Sequence, residues 1–126
     1  MIVVMKTKQF SFRARASSFR YAWEGIYRFF AQEHNTWIHL AATVAVFVAA
    51  WLLEVSHIEV ILLIIVTGFV WVAEIFNTAV EKAMDLISPG YHPRVKLIKD
   101  LSAAAVLIAA IISVITGAFI FIPKIF

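Results

Sequence analysis

Three carboxylates and one amide share one face of a segment that is otherwise apolar. They are spaced i, i+3, i+7 and i+11, at Glu74, Asn77, Glu81 and Asp85. Because an α-helix turns by about 100° per residue, the four side chains fall within an arc of roughly 80°. Ionisable groups at membrane depth cost free energy, so they usually mark a site of function. Their hard oxygen atoms suit Mg²⁺ and phosphate chemistry better than zinc chemistry.

The composition favours a membrane protein over a soluble domain. The chain has 126 residues, of which 63% are hydrophobic and 15% are charged, and its mean hydropathy is +0.90. Soluble domains average about half apolar and about a quarter charged residues. Cysteine is absent, which excludes disulfides, thiolate nucleophiles and cysteine-based metal sites. The length fits one membrane domain over residues 1–126, and the N-terminus lacks a signal-peptide pattern.

Three apolar stretches are long enough to cross a bilayer. We predict transmembrane helices over residues 36–54, 58–87 and 95–122, because about 20 apolar residues span the hydrocarbon core. Ser88-Pro89-Gly90 and Pro93 interrupt the helical pattern between the second and third helices. The predicted fold class is therefore an all-α membrane protein, with the acidic face near the end of its second transmembrane helix.

The N-terminal segment predicts a further helix, over about residues 8–34, that lies in the membrane interface. Its apolar face carries aromatic side chains, chiefly Phe12, Phe19, Trp23, Tyr27 and Phe30. A separate arc of about 80° carries Arg13, Ser17, Arg20, Glu24 and Arg28. A helix with an aromatic face and a basic face lies in the interfacial plane without crossing the bilayer. A soluble helix packed on another domain is the alternative, but the sequence contains no further domain.

Basic residues are concentrated on one side of the predicted helices. Of the eleven Lys and Arg residues, six lie in residues 1–35, four lie between Lys82 and Lys99, and only Lys124 lies on the other side. The positive-inside rule then places the N-terminus and the 87–99 loop in the cytoplasm. The acidic face would straddle the cytoplasmic boundary, where it could meet both a lipid headgroup and a water-soluble cofactor.

Other polar residues allow two interpretations each. Lys99 could bind phosphate or only anchor the third helix at the cytoplasmic side. Asp100 could belong to the site or only cap the start of that helix. Glu33 could be a further metal ligand or a solvated charge at a helix end. Tyr91 and His92 lie in the loop, where either could touch a nucleotide base. The histidine spacing does not fit zinc motifs.

Small residues recur every four positions along the third transmembrane helix, at Ala105, Ala109, Ser113 and Gly117. Such a stripe permits close contact between helices. Because three helices alone would enclose this many polar groups poorly, we expect an oligomer.

The chain has no GxxxxGK[ST] motif and no kinase-type glycine loop, so a phosphotransferase of this sequence would use neither standard nucleotide cradle. We expect no nucleic-acid partner.

The segment Glu74–Glu81 closely resembles the E-x-x-N-[ST]-A-[IV]-E signature of the prokaryotic diacylglycerol kinase and undecaprenol kinase family. The agreement continues through Asp85, Tyr91-His92-Pro93 and Lys99-Asp100. The His-Pro after the loop and the Ile-Pro-Lys ending resemble the undecaprenol kinases of Gram-positive type more than the enterobacterial diacylglycerol kinases.

This resemblance implies a homotrimer in the bacterial inner membrane, with composite sites between protomers. Such an enzyme transfers the γ-phosphoryl group of ATP, with Mg²⁺, to a lipid hydroxyl. Undecaprenol, which would become undecaprenyl phosphate, is the favoured acceptor. Diacylglycerol, which would become phosphatidic acid, is the alternative.

The resemblance also implies residue roles. Glu74 would be the general base, Asn77 would position the γ-phosphate or the acceptor, and Lys99 would neutralise the polyphosphate. Glu33 and Glu81 would hold Mg²⁺. The implied nucleotide contacts are Tyr21, Asn77, Asp85, Tyr91, Lys99 and Asp100. The family's N-terminal arginine falls at Arg13 or Arg15.

Two other classes of protein compete with the kinase. A small multidrug-type exporter would use an intramembrane glutamate to exchange protons for cations, but those proteins resemble four-helix chains with one carboxylate in the first helix. A membrane scaffold would explain the small-residue stripe but not the acidic face. Only the kinase predicts Mg²⁺-dependent ATP binding.

Overall fold

The computed structural model describes residues 9–126, and within them the chain forms four α-helices. These are α1 (Phe12–Gln32), α2 (His34–Leu52), α3 (His57–Ile87) and α4 (Pro93–Ile125). By length and composition, α2, α3 and α4 could each cross a membrane. The predicted all-helical chain with three long apolar helices is confirmed.

The start of α4 differs from the prediction for a reason that the structure makes clear. The helix begins at Pro93, two residues before the predicted start, because the Arg94 amide donates to Nδ1 of His92 at 3.1 Å. Proline is well suited to the first helical position, where its missing N–H costs nothing. Pro93 therefore begins a helix where we expected it to break one. The alternative prediction that Asp100 caps this helix is wrong, since Asp100 lies two turns inside α4.

The other bounds differ from the predicted ones by up to four residues, most at the start of α1. The helix predicted over 36–54 runs from His34 to Leu52, and the one predicted over 58–87 begins at His57. The predicted interfacial helix corresponds to α1, but it begins at Phe12, with Ser11 as its N-cap, rather than near residue 8. Lys6 and Lys8 lie outside the described residues. The last helix continues past its predicted end at residue 122 to Ile125.

The chain divides into two compact units, Met1–Leu40 and Ala41–Phe126. In the first unit, side chains of α2 close the junction with α1. Thr36 Oγ1 donates to the Phe29 carbonyl at 3.3 Å, and Trp37 Nε1 donates to the Phe30 carbonyl at 3.1 Å. Both carbonyls belong to the last turn of α1, and that of Phe29 also accepts from the Glu33 amide at 3.2 Å.

In the second unit, α3 packs along α4, and the small core lies near the α2–α3 turn. Ala50, Leu63 and Ile120 are buried together, one from each of the three apolar helices. Deeper along the pair α2 and α3, Trp71 Nε1 donates to Thr43 Oγ1 at 3.0 Å. An interhelical hydrogen bond of this kind satisfies polar atoms that hydrocarbon could not solvate.

Ionic and capping contacts tie the helix ends at the α2–α3 turn. Ser56 and Glu59 form a reciprocal capping box at the start of α3, which satisfies two orphan amides. Lys124 Nζ lies 3.2 Å from Glu59 Oε2. The end of α4 is thereby joined to the beginning of α3.

Most large apolar side chains of α3 and α4 are exposed. Within residues 9–126, seven apolar residues are buried, whereas Ile65, Val114 and Phe119 are 60%, 71% and 79% exposed. An apolar surface of this extent suits lipid or further copies of the chain rather than water. The predicted homotrimer and the interfacial position of α1 stay predictions.

The core near the turn generates a stability prediction. Leu63 is 1% exposed and Leu62 is 42% exposed, so Leu63→Ala removes packed atoms while Leu62→Ala removes atoms from the outer surface. We expect Leu63→Ala to lower the free energy of unfolding by roughly 2–3 kcal/mol and Leu62→Ala to change it little. Denaturant titration in detergent measures both, and equal losses would contradict this description of the core.

Candidate active site

The acidic face lies on one uninterrupted helix. Because α3 runs without a break from His57 to Ile87, Glu74, Asn77, Glu81 and Asp85 keep their helical spacing and share a face. Their burial is graded along the helix. Glu74 and Asn77 are partly buried, whereas Glu81 and Asp85 are exposed. One end of the face is therefore set among apolar helices and the other is open to solvent.

Asn77 carries the most informative polar atom of this face. Its Oδ1 is buried and accepts no hydrogen bond from any residue that the structure describes. Leaving a buried amide oxygen without a donor costs about 1–3 kcal/mol, so such an atom in a folded protein needs an explanation. A donor brought by a ligand or a second protomer would supply one.

An ion pair between α3 and α4 closes the exposed end of the face. Lys99 Nζ lies 2.6 Å from Asp85 Oδ1, and the two side chains are 36% and 64% exposed. Lys99 reaches this position from the second turn of α4, not from the helix N-terminus that the sequence suggested. The structure thus brings together two residues predicted to contact the nucleotide.

Lys96 belongs to the same charged region, and the sequence reasoning had counted it only among the basic residues of the loop. Lys96 Nζ lies 2.6 Å from Asp100 Oδ2, within α4. Their i, i+4 spacing is the signal that could have predicted this pair. Asp100 is therefore held beside a cation rather than at a helix start.

A cavity of about 290 Å³ lies beside these ion pairs, in the connection between α3 and α4. Its lining includes Gly90, Tyr91, His92, Lys96 and Lys99. The His92 ring accepts from the Arg94 amide, so one of its nitrogens is committed to the helix cap. The lining also contains Lys96 and Lys99, which suit a phosphorylated ligand, and Tyr91, which suits an aromatic one.

The remaining predicted site residues lie in the first unit. Glu33 is the C-cap of α1, and its amide donates to the Phe29 carbonyl at 3.2 Å. Tyr21 is 59% exposed, with the Arg20 guanidinium 5.2 Å from its ring centre. Arg13 and Arg15 lie in the first turn of α1.

The donor chemistry of the acidic face fits a hard cation, since Glu81 and Asp85 offer exposed carboxylates one turn apart. No cluster of three His, Asp or Glu side chains occurs within residues 9–126. The assignment of Glu33 and Glu81 as magnesium ligands stays a prediction.

Most of the chain matches one known family. The family described as prokaryotic diacylglycerol kinase matches residues 20–121. The chain belongs to the prokaryotic diacylglycerol kinase family. This match includes the acidic face and the Asp85–Lys99 and Lys96–Asp100 ion pairs. The prediction of a membrane lipid kinase is confirmed at the level of this family.

Relatives in the family carry two different names. A diacylglycerol kinase of Synechocystis is 43% identical over 107 residues, which are 84% of this chain and 61% of that protein. An undecaprenol kinase of Bacillus subtilis is 40% identical over 107 residues, 85% of this chain and 87% of that protein. A diacylglycerol kinase of Escherichia coli is 38% identical over 104 residues, 76% and 79% of the two chains. The chain thus spans about three fifths of the Synechocystis relative and most of the other two.

The two ion pairs generate a prediction about coupling between helices. We expect a double-mutant cycle of Asp85→Asn and Lys99→Gln to give a coupling free energy of roughly 0.5–1 kcal/mol, because Lys99 is only partly exposed and the pair joins two helices.

The Lys96–Asp100 pair is the matched control, since both its side chains are 60% exposed and it lies within one helix. The same cycle with Lys96→Gln and Asp100→Asn should give about 0.3 kcal/mol. Unfolding of the four variants of each cycle measures both values. A larger coupling for the Lys96 pair would contradict the proposed importance of the interhelical contact.

Proposed function

We propose that this protein transfers the γ-phosphoryl group of ATP to the hydroxyl of undecaprenol and so forms undecaprenyl phosphate. Its membership of the kinase family supports the reaction class. The Bacillus subtilis undecaprenol kinase is matched over 87% of its length, and the His-Pro and Ile-Pro-Lys sequences favour the same acceptor. Diacylglycerol, giving phosphatidic acid, is the alternative acceptor.

The observation that carries this proposal is the graded acidic face of α3. From Glu74 to Asp85 the face extends about 16 Å along the helix, from partly buried to exposed surroundings. A lipid hydroxyl would arrive from the apolar end, and a water-soluble nucleotide would arrive from the exposed end. A face that joins these two environments suits a reaction between a lipid and ATP.

The chemistry assigned to these residues follows from phosphoryl transfer. Glu74 would take the proton of the lipid hydroxyl while the hydroxyl oxygen attacks the γ-phosphorus. The bond between the γ-phosphorus and the β–γ bridging oxygen would then break. The lipid phosphate forms, and ADP leaves with the bridging oxygen. Asn77 would position the γ-phosphate or the acceptor, because its side-chain N–H groups can donate to a phosphate oxygen or to the hydroxyl oxygen, whose one proton goes to Glu74. Positioning and charge neutralisation are the main requirements of such a transfer.

The charged groups nearer the loop would bind the nucleotide. Lys99 would neutralise the negative charge of the polyphosphate. In the free protein, the Asp85 carboxylate holds the Lys99 ammonium group in place. Glu33 and Glu81 would hold Mg²⁺, which supplies charge neutralisation at the β- and γ-phosphates. Asp100, Tyr21 and Tyr91 would complete the nucleotide site.

The enzyme would act as a homotrimer in the bacterial inner membrane, with its N-terminus and the 87–99 loop in the cytoplasm. The exposed apolar surfaces of α3 and α4 support association with lipid and with other protomers. An exporter is a weaker proposal, because its charge would be expected near the bilayer midplane rather than at one end of a helix.

Replacement of Glu74 tests the assigned base. We expect Glu74→Gln to lower kcat by about 10²–10⁴-fold, because the amide cannot accept the hydroxyl proton, while thermal unfolding in detergent changes little. Glu24→Gln, which removes an exposed carboxylate of α1, is the matched control and should retain turnover. Normal turnover by a pure preparation of Glu74→Gln would remove Glu74 from this role.

The acceptor is tested with purified protein in bicelles that contain undecaprenol or diacylglycerol, together with labelled ATP and Mg²⁺. We expect label to enter undecaprenol faster than diacylglycerol, and chelation of the metal by EDTA to stop both reactions. Faster labelling of diacylglycerol would establish the alternative acceptor. Folded protein that labels neither lipid would exclude the kinase proposal.

A further inference from the structure

A second cavity lies far from the acidic face, at the turn between α2 and α3. Its volume is about 650 Å³, and its lining includes Phe47, Trp51, Glu54, His57 and Val60. Binding sites for small molecules commonly enclose roughly 300–1,000 Å³. His57 and Glu74 are separated by about 25 Å along α3, so this cavity is not part of the candidate active site.

Glu54 occupies a backbone position in this turn that normally takes glycine. Its φ is 51°, and within residues 9–126 it is the one non-glycine residue with a positive φ. The Val55 amide donates to the Ala50 carbonyl at 3.2 Å, and the Glu54 amide donates to the Trp51 carbonyl at 3.3 Å. These two bonds form a Schellman motif, in which glycine is preferred at the Glu54 position. A strained glutamate at the mouth of a cavity suggests a use for its side chain.

The charge of Glu54 is uncompensated by the described part of the chain. The neighbouring Glu59 is paired with Lys124 at 3.2 Å and accepts from the Ser56 amide at 2.9 Å. Neither the Glu54 carboxylate nor the His57 imidazole forms an ion pair or a side-chain hydrogen bond within residues 9–126. The cavity therefore presents one carboxylate and one imidazole that are available to a ligand.

The lining combines three kinds of chemistry. The Glu54 carboxylate can pair with an ammonium group, and the Trp51 indole, which is 78% exposed, can add a cation–π contact. A His57 N–H can donate to a phosphate oxygen. Phe47 and Val60 supply apolar walls. At the N-terminus of α3, the Ser56–Glu59 capping box satisfies the amides of those two residues.

A molecule with a primary ammonium group, a phosphate and an apolar body matches all three features. We propose that this cavity binds the headgroup of phosphatidylethanolamine from the surrounding bilayer. The ammonium lies at Glu54 and Trp51, the phosphate lies at His57, and the upper acyl chains contact the apolar walls. Phosphatidylglycerol shares the phosphate and the chains but offers no cation, so the Glu54 carboxylate disfavours it.

The proposal is tested with the full-length protein in lipid nanodiscs that contain equal amounts of phosphatidylethanolamine and phosphatidylglycerol with identical acyl chains. Native mass spectrometry measures which lipid stays bound after release from the nanodisc. We expect wild-type protein to retain phosphatidylethanolamine over phosphatidylglycerol by roughly three- to tenfold, the size expected from one partly exposed ion pair and one cation–π contact.

Two substitutions of Glu54 separate binding from folding. Glu54→Gln keeps the side-chain size and should reduce the preference to the smaller part that the Trp51 cation–π contact supplies. Glu54→Gly should reduce it to the same extent, yet should raise the lipid-free unfolding temperature, because glycine adopts the left-handed conformation without strain. Glu24→Gln removes a carboxylate elsewhere and should leave the preference unchanged.

Three results would overturn the proposal. The first is wild-type protein that retains the two lipids equally or prefers phosphatidylglycerol. The second is a Glu54→Gln variant with the wild-type preference. The third is loss of the preference in Glu24→Gln, which would indicate a general effect of net charge. None of these readouts depends on phosphoryl transfer.

Discussion

The free-energy cost of placing an ionisable group in hydrocarbon governs this molecule. Its apolar helices bury few side chains within the described chain and present the rest outward, so lipid must serve as their solvent. Under that constraint the polar groups gather near helix ends or pair with one another. Asp85 with Lys99 and Glu59 with Lys124 are examples at opposite ends of the α3–α4 hairpin. The partly buried Asn77 departs from this rule, because its Oδ1 has no hydrogen-bond partner among the residues that the structure describes.

The helices themselves could be predicted from sequence because apolar length and helical spacing are local properties. The four side chains of the acidic face keep their spacing on α3, and three long apolar helices occur where they were expected. The start of α4 could not be predicted in the same way. Pro93, with Ser88-Pro89-Gly90, was expected to interrupt the helical pattern, whereas the His92 side chain caps the helix and lets Pro93 begin it.

Contacts between helices could not be predicted as well from the sequence. The Asp85–Lys99 pair depends on how α3 and α4 pack side by side, which spacing along one helix does not reveal. The buried Oδ1 of Asn77 likewise depends on three-dimensional packing. The positive φ of Glu54 had no sequence signal, because the turn uses glutamate where glycine would be expected. Functional roles for Glu33 and Tyr21 rest on family resemblance, since no local pattern distinguishes them from ordinary surface residues.

The contact between Lys99 and Asp85 affects the free energy of nucleotide binding at this site. A lysine with a carboxylate at 2.6 Å is not a bare positive charge awaiting a phosphate. Binding of an anion there is an exchange of one counterion for another, and its net free energy is the difference between the two pairings. Added salt weakens both pairings, so the exchange would be less sensitive to ionic strength than anion binding to an unpaired lysine.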